Sequence, residues 1–365
     1  MTKDNNRADG AYVIVAGKTG GHIFPGIALG REIRARRPAS PVVFVGTGGD
    51  LESRLVPEAG FTLEAIQASG FVGKSALQKA RAVAGLPAGF FQARRLLRKH
   101  RARAVVGMGG YVTVPVLAAA RSLRLPTVIH DSDAQPGVSS RLASRFATRT
   151  AVGVGAAGAA LAQGSTVTGT PVRQEFFSVA PLDPRSATKR LLVFGGSQGS
   201  IVLNRALAEA APLLAADRLE VIHQTGERNL EATRALYASN PPRWRLVAFL
   251  PRLFEELGWA DLVVCRAGAM TLAELAAAAR PAILVPFAAA AHGHQLANAR
   301  VFADAGAAVV IEEARLTGET LTAAVREAFS NRARLVQMSE RVRAFAVPDA
   351  ARRLADVLFD AEAKA

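Results

Sequence analysis

The sequence predicts an α/β protein made of two doubly wound parallel sheets, and three observations carry that prediction. Short apolar runs alternate with helical patterns from Ala11 onward, as βαβ units require. The runs end in glycine turns at Gly17 to His22, Gly46 to Asp50, Gly107 to Tyr111 and Gly195 to Ser200. The opening strand, glycine turn and helix start again at Arg190, which divides a chain of 365 residues, long for one core, into two Rossmann-like halves.

In order, Ala11 to Ala16 is a strand, and the Gly17 to His22 turn enters a helix over Pro25 to Arg36, with Pro25 expected in the first turn. Gly17-Lys18-Thr19 is not a Walker A loop, because that motif needs glycine where Tyr12 stands. Pro41 to Val45 is the second strand, Leu51 to Ala59 the second helix, and Ala68 to Lys74 a surface loop. Helical segments divided near Pro87 follow. In the second, Phe90, Phe91, Ala93, Leu96 and Leu97 alternate with Arg94, Arg95, Arg98 and Lys99, a pattern that suits packing on the core and equally suits an anionic lipid surface. Ala104 to Val106 and Thr127 to His130 are strands, the latter delivering His130-Asp131-Ser132-Asp133 to a carboxyl end, where open α/β sheets place ligands. Aspartates at a strand exit serve as bases or merely as helix caps. Gln163 to Ala187 reads as the crossing between domains. Arg190 to Phe194, Val221 to Gln224 and Leu246 to Phe249 are strands of the second half, and Ile201 to Ala211 is a helix. A final helix over Pro348 to Ala361 suits a return to the first domain. Two such domains with facing ligand edges would enclose one deep cleft.

The stretch Asp261 to Ala299 organises the rest. Leu262 to Cys265 is a strand, Arg266-Ala267-Gly268-Ala269 a small-residue turn, and an Ala/Leu-rich helix and a second apolar run closed by Pro286 follow. The turn leaves a helix N-terminus open, carrying about half a positive charge. Glu274, about one turn after Met270, is placed to accept from a sugar diol, so a diphosphate with a ribose fits both features. An ordinary crossover unit with a solvated Glu274 fits the same stretch.

Net charge is +15, and it is concentrated in one half. Residues 1–165 hold 22 Lys/Arg against 9 Asp/Glu, a difference of +13; residues 166–365 hold 23 against 21, a difference of +2. Between Glu64 and Asp131 no acidic residue occurs, while Lys74, Lys79, Arg81 and the arginines from Arg94 to Arg124 do. That pattern points to a polyanionic partner, nucleic acid or anionic lipid. The single cysteine, Cys265, excludes a disulfide framework and fits a reducing compartment. No apolar run reaches the ~20 residues of a membrane span, and the polar start MTKDNNRADG lacks a signal-peptide core.

Seven motifs, GKTGGHIFPGIAL, GMGGY, HDSDAQPG, GTPVR, GGSQGS, CRAGAMTLAEL and HGHQLANA, resemble in order and spacing the MurG family, across nearly the whole chain. The resemblance implies a GT-B fold with an acceptor-binding, membrane-associating domain over 1–171 plus 347–365 and a UDP-sugar-binding domain over 172–346. It implies inverting transfer of N-acetylglucosamine from UDP-N-acetylglucosamine to the muramyl C4 hydroxyl of undecaprenyl-linked lipid I, giving lipid II in peptidoglycan synthesis. Carried over by position, Thr19, Gly20 and Gly21 line the donor, and Arg173 and Ser197 contact its phosphates. Leu250 meets the uracil, Ala269, Met270, Thr271, Leu272, Ala273 and Glu274 the phosphates and ribose, and Gln295 the sugar hydroxyls. His22 is the expected general base, Asp131 the runner-up, and Tyr111 an acceptor contact.

The chain departs from the family at Lys18, usually glycine, and at Asp133, usually asparagine, which loses amide donors toward the sugar acetamido group. His292 and His294 are too few for a metal site, so neither metal nor cofactor is expected. The resemblance places the chain at the cytoplasmic face of the membrane, held peripherally through the basic segment Lys74 to Arg103. Alternatives are a related enzyme acting on another lipid acceptor, a UDP-sugar epimerase or hydrolase, and a basic nucleic-acid-binding protein. The last is disfavoured by the scarcity of aromatics in the basic segment.

Overall fold

The computed structural model describes residues 10–17, 19–68, 86–155, 157, 161, 164–237, 243–290 and 293–365. Lys18, Lys74, Lys79, Arg81 and His292 lie outside the described residues. The chain divides into two units, Met1–Arg173 with Val347–Ala365, and Gln174–Ala346.

In the first unit the strands are β1 (Tyr12–Val15), β2 (Val42–Gly46), β3 (Thr62–Ala65), β4 (Ala104–Gly107), β5 (Thr127–Asp131), β6 (Arg149–Val152) and β7 (Ser165–Val167). Among the described residues they form one seven-stranded sheet in the order β3-β2-β1-β4-β5-β6-β7, parallel throughout. Parallel strands are covered on both faces, which is why β1, β2 and β4 are apolar at every position rather than alternately. Successive residues still face opposite layers. Tyr12 and Ile14 join a core with Ile23, Ile27 and Ile33 of α1 (Gly20–Arg36) and Val56 of α2 (Asp50–Glu58). Val13 and Val15 join Ala93 and Leu97 of α3 (Leu86–Lys99), Val116 and Leu117 of α4 (Thr113–Ser122), and Ala143 of α5 (Val138–Ser144).

The second unit contains β8 (Arg190–Phe194), β9 (Glu220–Gln224), β10 (Trp244–Val247), β11 (Leu262–Cys265), β12 (Ala282–Leu284) and β13 (Ala308–Val310). Their order is β10-β9-β8-β11-β12-β13, again parallel. Its helices are α6 (Ile201–Leu214), α7 (Leu230–Leu236), α8 (Leu253–Trp259), α9 (Ala269–Ala277), α10 (His294–Asp304), α11 (Gly318–Ser330) and α12 (Arg332–Arg343). The last helix, α13 (Ala350–Ala363), returns to the first unit and buries Leu354, Ala355, Leu358 and Ala361 against Tyr12 and its neighbours. Glu362 accepts from the Tyr12 hydroxyl at 2.6 Å and from Arg103 Nε at 2.7 Å. Burial, with that hydrogen bond, pushes the Tyr12 phenol up to about 12.

Several expectations need correction. Helix α1 starts at Gly20, with Pro25 inside it. The Thr19 carbonyl accepts from the backbone N–H groups of His22 and Ile23, both at 3.1 Å, and nucleates the turn before the proline. Part of the expected domain crossing is strand β7, paired Thr150 to Ser165. Edge strands β3 and β7 carry no apolar run, so hydrophobic patterning misses both. Strand β10 begins at Trp244 rather than Leu246. Finally, the basic run without acidic neighbours in sequence acquires them in space. Glu64 meets Lys99 Nζ at 2.6 Å and His100 Nε2 at 2.7 Å, and Glu362 meets Arg103.

Candidate active site

In both sheets the order of strand addition reverses beside the first strand, between β1 and β4 and between β8 and β11, while the strands stay parallel. A crevice opens outside the carboxyl ends at such a switch point, and the loops that leave those strands line it. In each unit those loops are the glycine-rich ones.

In the second unit, β8 leads through residues 195–200 into α6, whose N-cap Ser200 accepts from Leu203 N at 3.4 Å. Gly199 has φ +71, and a Cβ there would lie 1.9 Å from the Thr225 carbonyl oxygen, so the loop packs backbone to backbone on the exit of β9. Gln224 reinforces this, accepting from Gly195 N at 3.2 Å and donating to the Ala248 carbonyl at 3.1 Å. Ser197 stands exposed at the loop tip, and Leu250 lies half-buried just past β10.

Strand β11 leads through Arg266–Gly268 into α9. The N-cap Gly268 has no side chain to cap the helix, so its first N–H groups point out of the carboxyl edge of the sheet. Ala269, Thr271 and Ala273 are half-buried, and Met270, Leu272 and Glu274 are buried. Glu274 is 6% exposed, which overturns the reading of a solvated side chain. Its charge adds to burial in raising the Cys265 thiol, so that cysteine is a packed hydrophobe rather than a nucleophile. Gln295, in the first turn of α10, accepts from Phe287 N at 2.9 Å through Oε1.

In the first unit, the loop after β1 carries Thr19, Gly20, Gly21 and His22 into α1. His22 Nδ1 lies 3.1 Å from the Gly17 carbonyl oxygen and 3.1 Å from Thr19 Oγ1. A carbonyl only accepts, so the Gly17 contact requires the proton on Nδ1 and leaves the Nε2 lone pair as the basic position. Tyr111 follows Gly109 and Gly110, which line the other side of the ring. Asp131 ends β5, 6% exposed, and its Oδ1 accepts from Asp133 N at 2.9 Å. Burial first, then the Asp133 charge, pushes the Asp131 carboxyl up to about 6. Arg173 stacks on the Phe24 ring, 4.9 Å from its centroid.

The structure divides the nominated residues between its two units. Thr19, Gly20, Gly21, His22, Tyr111, Asp131, Asp133 and Arg173 belong to the first unit, and Ser197, Leu250, Ala269 to Glu274 and Gln295 to the second. Sequence reasoning missed the residues that hold these loops. Asn298 donates to the Ala267 carbonyl at 3.1 Å. Arg266 bonds to Ser200 Oγ at 2.8 Å and to Glu313 at 2.5 Å. Glu52, fully buried, accepts from Thr47 N at 2.7 Å and Gly48 N at 2.8 Å and shapes the loop after β2. Their partners are remote in sequence or lie in turns, so no periodicity signals them.

Residues 12–152 match the glycosyltransferase family 28 N-terminal domain, and residues 190–354 its C-terminal domain. The chain is 40% identical over 346 residues to the UDP-N-acetylglucosamine--N-acetylmuramyl-(pentapeptide) pyrophosphoryl-undecaprenol N-acetylglucosamine transferase of Syntrophotalea carbinolica, covering 94% of this chain and 96% of that one. The same-named protein of Anaeromyxobacter dehalogenans is 41% identical over 353 residues, covering 95% and 92%. The crystal structure of Acinetobacter baumannii MurG superimposes with a TM-score of 0.77 at 29% identity, over 96% of this chain and 99% of that one. A UDP-N-acetylglucosamine 2-epimerase of Listeria monocytogenes, 12% identical with a TM-score of 0.71, shares the fold. Two parallel-sheet domains, matches to both halves of the family and identity along nearly the whole length together show that the chain belongs to the MurG N-acetylglucosaminyltransferases of glycosyltransferase family 28.

Proposed function

We propose that this chain transfers N-acetylglucosamine from UDP-N-acetylglucosamine to the muramyl C4 hydroxyl of undecaprenyl-diphosphate-linked lipid I, with inversion, in peptidoglycan synthesis. The observation that carries the reading is the uncapped N-terminus of α9 at the switch point of the second sheet, with Glu274 buried on the same helix. Oriented N–H groups there attract the diphosphate and stabilise charge on the departing UDP, and a carboxylate accepts from the ribose diol. Leu250 meets the uracil, and Ser197 and Arg173 the phosphates. Thr19 to Gly21, Asp133 and Gln295 hold the sugar end.

On the acceptor side His22 acts as general base, with Tyr111 as an acceptor contact. The C4 oxygen attacks the sugar C1, the C1–O bond to the β-phosphate breaks, the hydroxyl proton passes to His22 Nε2, and UDP leaves. Asp131 is the second candidate base, since its raised carboxyl takes up a proton more readily than an ordinary aspartate. The chain works at the cytoplasmic membrane face, through exposed Phe91, Arg95 and Arg98 of α3. Among the described residues no helix is long and apolar enough to cross a membrane.

Transfer of labelled N-acetylglucosamine to a lipid I analogue, with UDP release followed in parallel, tests the reading. Product that requires the analogue is expected. UDP release independent of any acceptor would replace the transferase with a hydrolase.

A further inference from the structure

Arg266 lies immediately past β11, beside but not among the residues assigned above to the donor. Its guanidinium is 11% exposed at the side chain and is shared among four strand exits. Nη2 donates to Ser200 Oγ at 2.8 Å, the cap of α6 after β8. Nη1 donates to Glu313 Oε2 at 2.5 Å and reaches the carbonyls of Val285 at 3.3 Å and Pro286 at 3.4 Å, just past β12. Glu313, in the turn after β13, also accepts from Ala288 N at 3.3 Å. The guanidinium carbon stands 5.2 Å from the Phe287 ring centroid, and Phe287 N is the group that fixes Gln295 Oε1.

We propose that the Arg266–Glu313 pair is a positioning element of the nucleotide-sugar site, setting the glycine loop after β8 and the loop that carries Phe287 in register with the N-terminus of α9. The inference rests on the donor reading given above. Arg266 is not itself placed as a phosphate ligand, because Glu313 already balances its charge and the other donor contacts go to a hydroxyl and two carbonyls. A partly buried ion pair contributes little net stability in general, so stability alone does not account for one guanidinium that joins β8, β11, β12 and the turn after β13. The planar fork matters as well. Lysine carries the same charge as a single point and cannot satisfy divergent acceptors together.

The test compares Arg266→Met, Arg266→Lys, Glu313→Gln and the Arg266→Met/Glu313→Gln double variant in the full chain. Melting temperature, UDP affinity by calorimetry, and KM for donor and acceptor are measured. Arg266→Met is expected to raise the UDP Kd and donor KM at least about tenfold with acceptor KM unchanged. Arg266→Lys is expected to recover little, and the double variant to be clearly less impaired than the sum of the singles. A folded Arg266→Met protein with wild-type UDP affinity, or an additive double variant, would overturn the proposal. Should Arg266→Met fail to fold, Arg266→Lys and Glu313→Gln decide it: raised UDP Kd with unchanged acceptor KM supports it, and wild-type UDP affinity in both sinks it. Glu274→Ala separates the two ideas. Loss of UDP binding there keeps the donor site where it is placed whatever Arg266 does, whereas wild-type UDP affinity in that variant would refute the donor site itself.

Discussion

The imidazole of His22 lies against the backbone of Gly109: a Cβ at that glycine would meet Nε2 at 2.9 Å and Cδ2 at 3.0 Å. Gly109 also has φ +96, a conformation side-chain-bearing residues rarely adopt. Gly109→Ala therefore has to move the ring or the loop. Turnover is expected to fall at least about 100-fold, the range of a misplaced general base, while calorimetry shows unchanged UDP affinity. Normal turnover in the folded variant would mean that the ring position is not critical.

Removing the ring tests the base directly. His22→Ala is expected to cut kcat by about 100-fold or more and to spare UDP binding. Near-normal turnover would transfer the role to Asp131, and Asp131→Asn in the same assay would then be the variant that fails.

Asp131 gives a stability prediction with a definite sign. Burial raises its carboxyl from 3.8 to about 6, so the folded chain holds this proton more tightly than the unfolded chain does. Its favourable contribution is complete below the ordinary aspartate range and is lost as pH rises through about 6. Asp131→Asn, which cannot ionise, is expected to gain on the wild type by up to about 3 kcal/mol between pH 4 and pH 7 in urea titrations. A difference that does not vary with pH would show that the carboxyl is ionised throughout.

The returning helix α13 is an integral part of the first core. Leu354 and Leu358 are fully buried beside Tyr12, Ile14 and Ile33. Leu358→Ala is expected to lower the unfolding free energy by about 2–5 kcal/mol, measured by chemical denaturation. A loss below about 0.5 kcal/mol would mean that this helix does not complete the core.

On helix α3 the core-packing reading accounts for one face of the pattern, and the lipid-surface reading is tested on the exposed face. Ala93 and Leu97 are buried in the core, whereas Phe91 is 66% exposed on the same helix as exposed Arg95 and Arg98. Phe91→Ser combined with Arg95→Glu and Arg98→Glu is expected to reduce cosedimentation with anionic vesicles at least about tenfold, since each basic residue near such a surface is worth about 1 kcal/mol. Binding to neutral vesicles should change far less. Undiminished binding to anionic vesicles would place the membrane face elsewhere.

The elements that were legible in the sequence share one physical property. Strands β1, β8 and β11 are sandwiched between layers and need apolar residues wherever they are buried, so Tyr12–Val15, Leu191 to Phe194 of β8 and Leu262–Cys265 stand out as runs. Edge strands β3 and β7 face solvent and carry no such constraint. The glycine loops were legible because close backbone approach tolerates no Cβ, as Gly109 and Gly199 illustrate. The ionisation of Asp131 was not legible, because burial and the Asp133 charge set it, opposed by hydrogen bonds from Ser140 of α5 and the backbone of Asp133 and Gly137, and these meet only in the folded chain.

By itself, then, the chain's order of apolar runs, helices and glycines determined two parallel sheets and which strand ends carry glycine loops, since these follow from local geometry and periodicity. Tertiary structure alone decided that Glu274 is buried, that Glu64 and Glu362 answer the basic run, and that Arg266 reaches Ser200 and Glu313. The reason is range. A turn or a strand is specified by neighbours a few residues apart, whereas a buried charge is set by partners that the fold brings from 66, 47 or 259 positions away.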